Sequence, residues 1–103
     1  MKLTSLLAAS AIVVGLGAAV AAHAFDGQQY LKDAKISLRQ ARHIALKVLP
    51  GGKIKSEELE TEKGGSGLRY SFDIAVGKGL REVGVDAKTG AVLENSVEGP
   101  NKD

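Results

Sequence analysis

Residues 68–76 read LRYSFDIAV, and apolar side chains recur there at every second position. Leu68, Tyr70, Phe72, Ile74 and Val76 fall on one side of an extended chain; Arg69, Ser71, Asp73 and Ala75 fall on the other. A period of two belongs to strands, so this stretch predicts a strand with one apolar face that something must cover. Residues 80–86 predict its neighbour, with Val83 and Val85 pointing one way, and residues 91–95 a short last strand through Val92 and Leu93. Residues 53–62, KIKSEELETE, fit less simply, because Ile54 and Leu59 are five apart, which suits neither a helix nor a strand. A bulge near Ser56 and Glu57 would restore the phase.

The connections predict a meander. Gly64-Gly65-Ser66-Gly67 joins the first two strands, and Gly77-Lys78-Gly79 makes a tight link to the third. Asp86-Ala87-Lys88-Thr89-Gly90 has the residues of a type I turn, with Gly90 supplying a positive φ and Asp86 accepting from the turn amides.

The cover for the sheet is a helix over residues 37–49. Ser37 is a good N-cap, and Gln40 stands at the capping-box spacing. Leu38, Ala41, Ala45 and Val48 recur at three and four residues, with Ile44 and Leu49 widening the stripe. Arg39, Arg42, His43 and Lys47 fall on the other side, and Pro50-Gly51-Gly52 ends the element. The expected fold class is therefore α+β, with one main helix packed on a three- to four-stranded antiparallel meander sheet. Residues 25–36, FDGQQYLKDAKI, form a mixed lead-in: Tyr30, Leu31 and Ala34 could share one face of a short helix, and Asp26-Gly27 could make a turn. Residues 98–103 form a polar, flexible tail.

The first 24 residues, MKLTSLLAASAIVVGLGAAVAAHA, carry one charge, Lys2, then a nearly unbroken apolar run, then Ala22-His23-Ala24. That is the pattern of a cleaved signal peptide. Retention as a membrane anchor is the other reading, since the run is nearly long enough to span a bilayer. No cysteine stands near residue 25, so a lipoprotein anchor is excluded. The whole chain has 103 residues, 14 Lys+Arg against 12 Asp+Glu, and no cysteine. Cleavage after Ala24 would leave 79 residues, about 35% apolar, with a net charge near +1. One core of that size supplies about 3–5 kcal/mol of stability. The absence of cysteine excludes a disulfide scaffold, thiol chemistry and thiolate zinc sites. Near-neutral charge and few aromatics argue against nucleic acid as a partner. Export without cysteine suits a periplasmic or secreted protein, free of the membrane once the leader is gone.

No constellation for catalysis is present. His43, the one histidine past the leader, sits among Arg39, Arg42 and Lys47 and predicts a solvated surface residue. Glu57, Glu58, Glu60 and Glu62 cluster, but strand alternation sends Glu58, Glu60 and Glu62 to one side, as a solvated sheet face requires. The glycines lack the helix and Lys-Ser/Thr of a phosphate loop. Ser66 has no nearby general base. Arg69 and Arg81 are placed to pair with Asp73 and Glu82 across strands. The expectation is no enzyme, no cofactor and no metal site.

The order of these features resembles the PepSY domain, a module named for the propeptides of secreted thermolysin-like metallopeptidases and a spore-germination protein. The resemblance covers roughly residues 36–97, and with the helix cap it sets the expected domain at 37–97. It rests on the helix end with Ala41, Ile44, Ala45, Leu46, Pro50, Gly51 and Gly52, on Tyr70-Ser71-Phe72-Asp73-Ile74, and on Val85-Asp86-Ala87, Thr89-Gly90 and Val92-Leu93. It implies one helix on an antiparallel sheet and a non-catalytic activity: binding, and restraining, peptidases or other proteins outside the cytoplasm. No catalytic residue carries over, and without an attached peptidase any inhibition must act in trans. The expected partner is a protein, foremost a secreted or periplasmic peptidase, bound by edge-strand pairing, with Glu58, Glu60, Glu62, Arg69, Ser71 and Asp73 as the candidate partner-binding residues. Exposed strand edges also leave a homodimer open. The alternative is a small-ligand or divalent-metal sensor that uses the glutamates with His43.

Overall fold

A computed structural model of the protein describes residues 25–98; the signal peptide expected at 1–24, and all but Glu98 of the tail expected at 98–103, lie outside the described residues. Ser37 is extended, its Oγ accepts the Gln40 N–H at 3.0 Å, and Gln40 Oε1 accepts the Ser37 N–H at 2.8 Å. This reciprocal cap starts helix α1, Leu38–Val48, as its sequence predicts. Ala41 and Ala45 are fully buried, so α1 approaches the sheet through its smallest side chains.

The strands are β1 (Phe25–Asp26), β2 (Lys53–Thr61), β3 (Leu68–Val76), β4 (Gly79–Asp86) and β5 (Val92–Val97), hydrogen-bonded in that order. From β2 to β5 the pairing is antiparallel, the predicted meander. The sheet nevertheless has five strands and is mixed, because β1 pairs parallel to β2, with Phe25 opposite Glu57 and Asp26 opposite Glu58. Two residues have no readable period, so the expectation of three to four antiparallel strands missed this one. Gly27 explains the close fit: its φ is +100°, and a Cβ there would collide with the Leu59 carbonyl oxygen. The chain then turns into a 3-10 helix, Gln28–Asp33.

The register of β2 shifts between Ile54 and Ser56, beside the predicted bulge. The shift puts Ile54, Glu57 and Leu59 opposite Ile74, Phe72 and Tyr70, on the side that α1 covers. Tyr70, Phe72, Ile74, Val83 and Val85 are fully buried there. The lead-in straps this core to the β4–β5 turn: the N–H groups of Lys35 and Ile36 both donate to the Ala87 carbonyl, at 2.9 and 3.1 Å. The buried Tyr70 hydroxyl donates to the Ile36 carbonyl at 2.9 Å. Among the described residues, no helix is long and apolar enough to cross a membrane.

Candidate functional site

The alternation that buries one side of β3 lifts its other residues onto the side that α1 leaves open. The register adds Glu58 opposite Ser71, Glu60 opposite Arg69 and Ser56 opposite Asp73 from β2. It adds Glu82 opposite Asp73 from β4, and Glu94 and Ser96 opposite Gly84 and Glu82 from β5. Glu58, Glu60, Arg69, Ser71 and Asp73 thus share one open, largely acidic face. Glu62 lies just past the end of β2, where its N–H donates to the Gly67 carbonyl.

These side chains differ in what they offer. Ser71 is 5% exposed and donates its hydroxyl to Glu60 at 2.6 Å, which fixes the Glu60 carboxylate. Arg69 is 8% exposed; it lies over Gly84, reaches Glu94 at 3.3 Å and donates to the Lys63 carbonyl at 3.1 Å. Arg69 and Ser71 therefore orient neighbours from below the surface, while Glu58 and Glu62 stand exposed. Asp73 accepts from the Ser56 hydroxyl at 2.9 Å. Partial burial, and then crowding by Glu60, Asp26, Asp73 and Glu62, hold the Glu58 carboxyl above its ordinary range. Asp73, Glu82 and Glu98 bring one carboxylate oxygen each within 4.8 Å of the others.

Arg69 and Arg81, expected to pair with Asp73 and Glu82, bond elsewhere. Arg69 reaches across β4 to Glu94 because Gly84 leaves room for its stem. Arg81 stands on the α1 side of the sheet, opposite Ile74, and donates instead to Asn95 Oδ1 at 2.7 and 3.0 Å.

Glu57 does not belong with the other glutamates. It is 8% exposed on the α1 side and takes a two-pronged bond from Arg42, at 2.8 and 2.6 Å. The signal was present in the sequence, since a phase reset near residue 56 gives Glu57 the face of Leu59. His43 is exposed on α1, and the sheet stands between it and Glu58 and Glu60.

Asp86 is the turn acceptor that its sequence predicts, and it does more. It is 1% exposed and accepts from the Ser66 N–H at 2.6 Å, the Ser66 hydroxyl at 2.8 Å, and the N–H groups of Lys88 and Thr89 at 2.8 and 3.1 Å. One carboxylate thereby ties the β2–β3 loop to the β4–β5 turn. Gly65 is required beside it, because its φ is +55° and a Cβ would strike the Asp86 carboxylate.

The arrangement supplies charge, main-chain edge and shape, and it fits recognition. The family model described as PepSY, peptidase propeptide and YPEB domain, matches residues 35–95 of the chain. No curated protein sequence and no solved structure gives a significant match.

Proposed function

The chain belongs to the PepSY family, and from that premise we propose that it is a non-catalytic protein-binding module. It works in the periplasm or outside the cell and restrains an extracytoplasmic peptidase in trans. The observation that carries this reading is the open sheet face: α1 covers one side of the sheet, and among the described residues no element covers the other, where Glu58, Glu60 and Asp73 stand beside exposed Glu62. Family membership supports protein binding, since the family is that of peptidase propeptides. A polar face with a preformed carboxylate array gives charge-selective docking and little of the deep apolar enclosure that a small molecule needs.

The test adds purified protein to the extracytoplasmic fraction of the producing cell, assays peptidase activity, and recovers bound proteins by affinity capture. Reduced activity together with a captured peptidase supports the reading. Unchanged activity with no captured protein overturns it.

The alternative, a divalent-metal sensor built from the glutamates and His43, is weakened because the sheet separates the two. Calorimetry with calcium, magnesium and zinc decides it: binding weaker than about 1 mM, roughly −4 kcal/mol, removes that option.

A further inference from the structure

The two edges of the sheet are not equivalent. On the β2 side, β1 pairs with Glu57 and Glu58, and Gly27 packs against Leu59. On the other side, no strand among the described residues pairs with the outer edge of β5.

The ladder fixes which groups β5 presents there. In an antiparallel pair, hydrogen-bonded and non-hydrogen-bonded residue pairs alternate. The Glu98 N–H donates to the Leu80 carbonyl at 2.6 Å, so the hydrogen-bonded pairs that follow are Glu82 with Ser96 and Gly84 with Glu94. Val83 with Asn95 and Arg81 with Val97 are then the intervening pairs. The main-chain groups of Asn95 and Val97 consequently point away from β4, toward the outer edge. The Asn95 carbonyl receives one long contact, 3.3 Å from Arg81, which leaves its second lone pair.

Side chains define what can lie along that edge. On the α1 side, Val92 and Val97 are 40% and 72% exposed, two of the four exposed large hydrophobic residues among those described, and between them Asn95 holds the Arg81 guanidinium. On the open side the edge carries Glu94, Ser96 and Glu98, with Glu82 and Asp73 behind them.

We propose that the outer edge of β5 accepts an extended peptide segment that alternates apolar and basic residues and adds as a sixth strand. Main-chain bonds to Asn95 and Val97 hold the segment. Its apolar residues cover Val92 and Val97, and its lysines or arginines face the column of Glu94, Ser96 and Glu98, in which Glu94 is shared with Arg69. A second copy fits less well, because pairing two β5 edges stacks their acidic columns against each other. This inference rests on the protein-binding reading and names the chemistry of the partner.

The test is an amide NMR titration of the full chain with three ten-residue peptides: alternating valine and lysine, alternating valine and glutamate, and the valine–lysine peptide N-methylated on its edge-facing amides. The valine–lysine peptide should protect the Asn95 and Val97 amides and bind about tenfold tighter than valine–glutamate at low salt, an advantage that salt screens. N-methylation should abolish binding. Val97→Pro removes an outward N–H that an edge strand can lose without breaking its own ladder, and should abolish binding too. If Val97→Pro fails to fold, Val97→Lys should weaken binding of the valine–lysine peptide by charge. Equal binding of valine–glutamate, undiminished binding after N-methylation, shifts confined to α1, or a β5-protected dimer without peptide each overturn the proposal. Capture of a peptidase with the β5 amides unperturbed sinks this inference and leaves the protein-binding reading standing. Peptide binding at β5 with no effect on peptidases supports this inference and overturns only the peptidase restraint in that reading.

Discussion

Asp86 holds two loops with one charge. Burial pushes its carboxyl up, but the bonds from Ser66, Lys88 and Thr89 outweigh it and bring the pKa down from 3.8 to about 2. A carboxylate held below its unfolded value stabilises above that value and stops doing so as pH falls through the folded one. The shift corresponds to about 2 kcal/mol, present above pH 4 and lost between roughly pH 4 and 2. Urea midpoints should show that loss, and Asp86→Asn should flatten the profile across the same window; an unchanged acid limb would contradict this role. Glu57 and Arg42 make a second residue-scale case. Arg42→Ala strands a buried carboxylate and should cost about 2–3 kcal/mol, whereas the double change to two apolar residues should cost less. A double-mutant cycle measures the difference. Asp86 was legible in the sequence because turn chemistry is local. The Arg42–Glu57 bond was not, because it needs the bulge, the face of β2 and the rotation of α1 to be known together.

At the scale of elements, the strongest periods in the sequence match the fold. The nine residues of β3 occupy the predicted positions, and α1 begins at its predicted cap. A strand of two residues carries no period, so β1 could not be seen; its place depends on Gly27 and on the Leu59 carbonyl beneath it. Long side chains are hard to place from the sequence for a related reason. Arg69 reaches past its cross-strand neighbour over Gly84 to Glu94, and Arg81 reaches diagonally to Asn95. The core is small, so element-scale changes should be felt globally. Ser37→Ala removes a cap bond and should lower stability by about 1 kcal/mol in chemical denaturation. Phe72→Ala should cost about 3–5 kcal/mol, enough to unfold a domain of this size at room temperature. Circular dichroism of the two variants separates a folded, weakened protein from an unfolded one.

As a whole molecule, the protein has two unlike sides. One carries α1 with Arg39, His43 and Lys47 toward solvent; the other is a bare sheet with Glu58, Glu60 and Asp73. Raising the pH through the acidic range ionises Glu58, whose carboxyl is held above its ordinary range by partial burial and by its acidic neighbours. Ionisation of Glu58 therefore works against the fold as pH rises, yet it strengthens attraction for a cationic partner. Glu58→Gln should relieve the former and weaken the latter, a paired effect visible in denaturation and partner-capture assays. The central claim is that the uncovered side of the sheet, and not the helix, meets the partner. It is tested most directly by placing a photo-crosslinking residue at position 58 or at position 47 in producing cells. The account predicts a protein adduct from position 58 and none from position 47; an adduct from position 47 alone would contradict it.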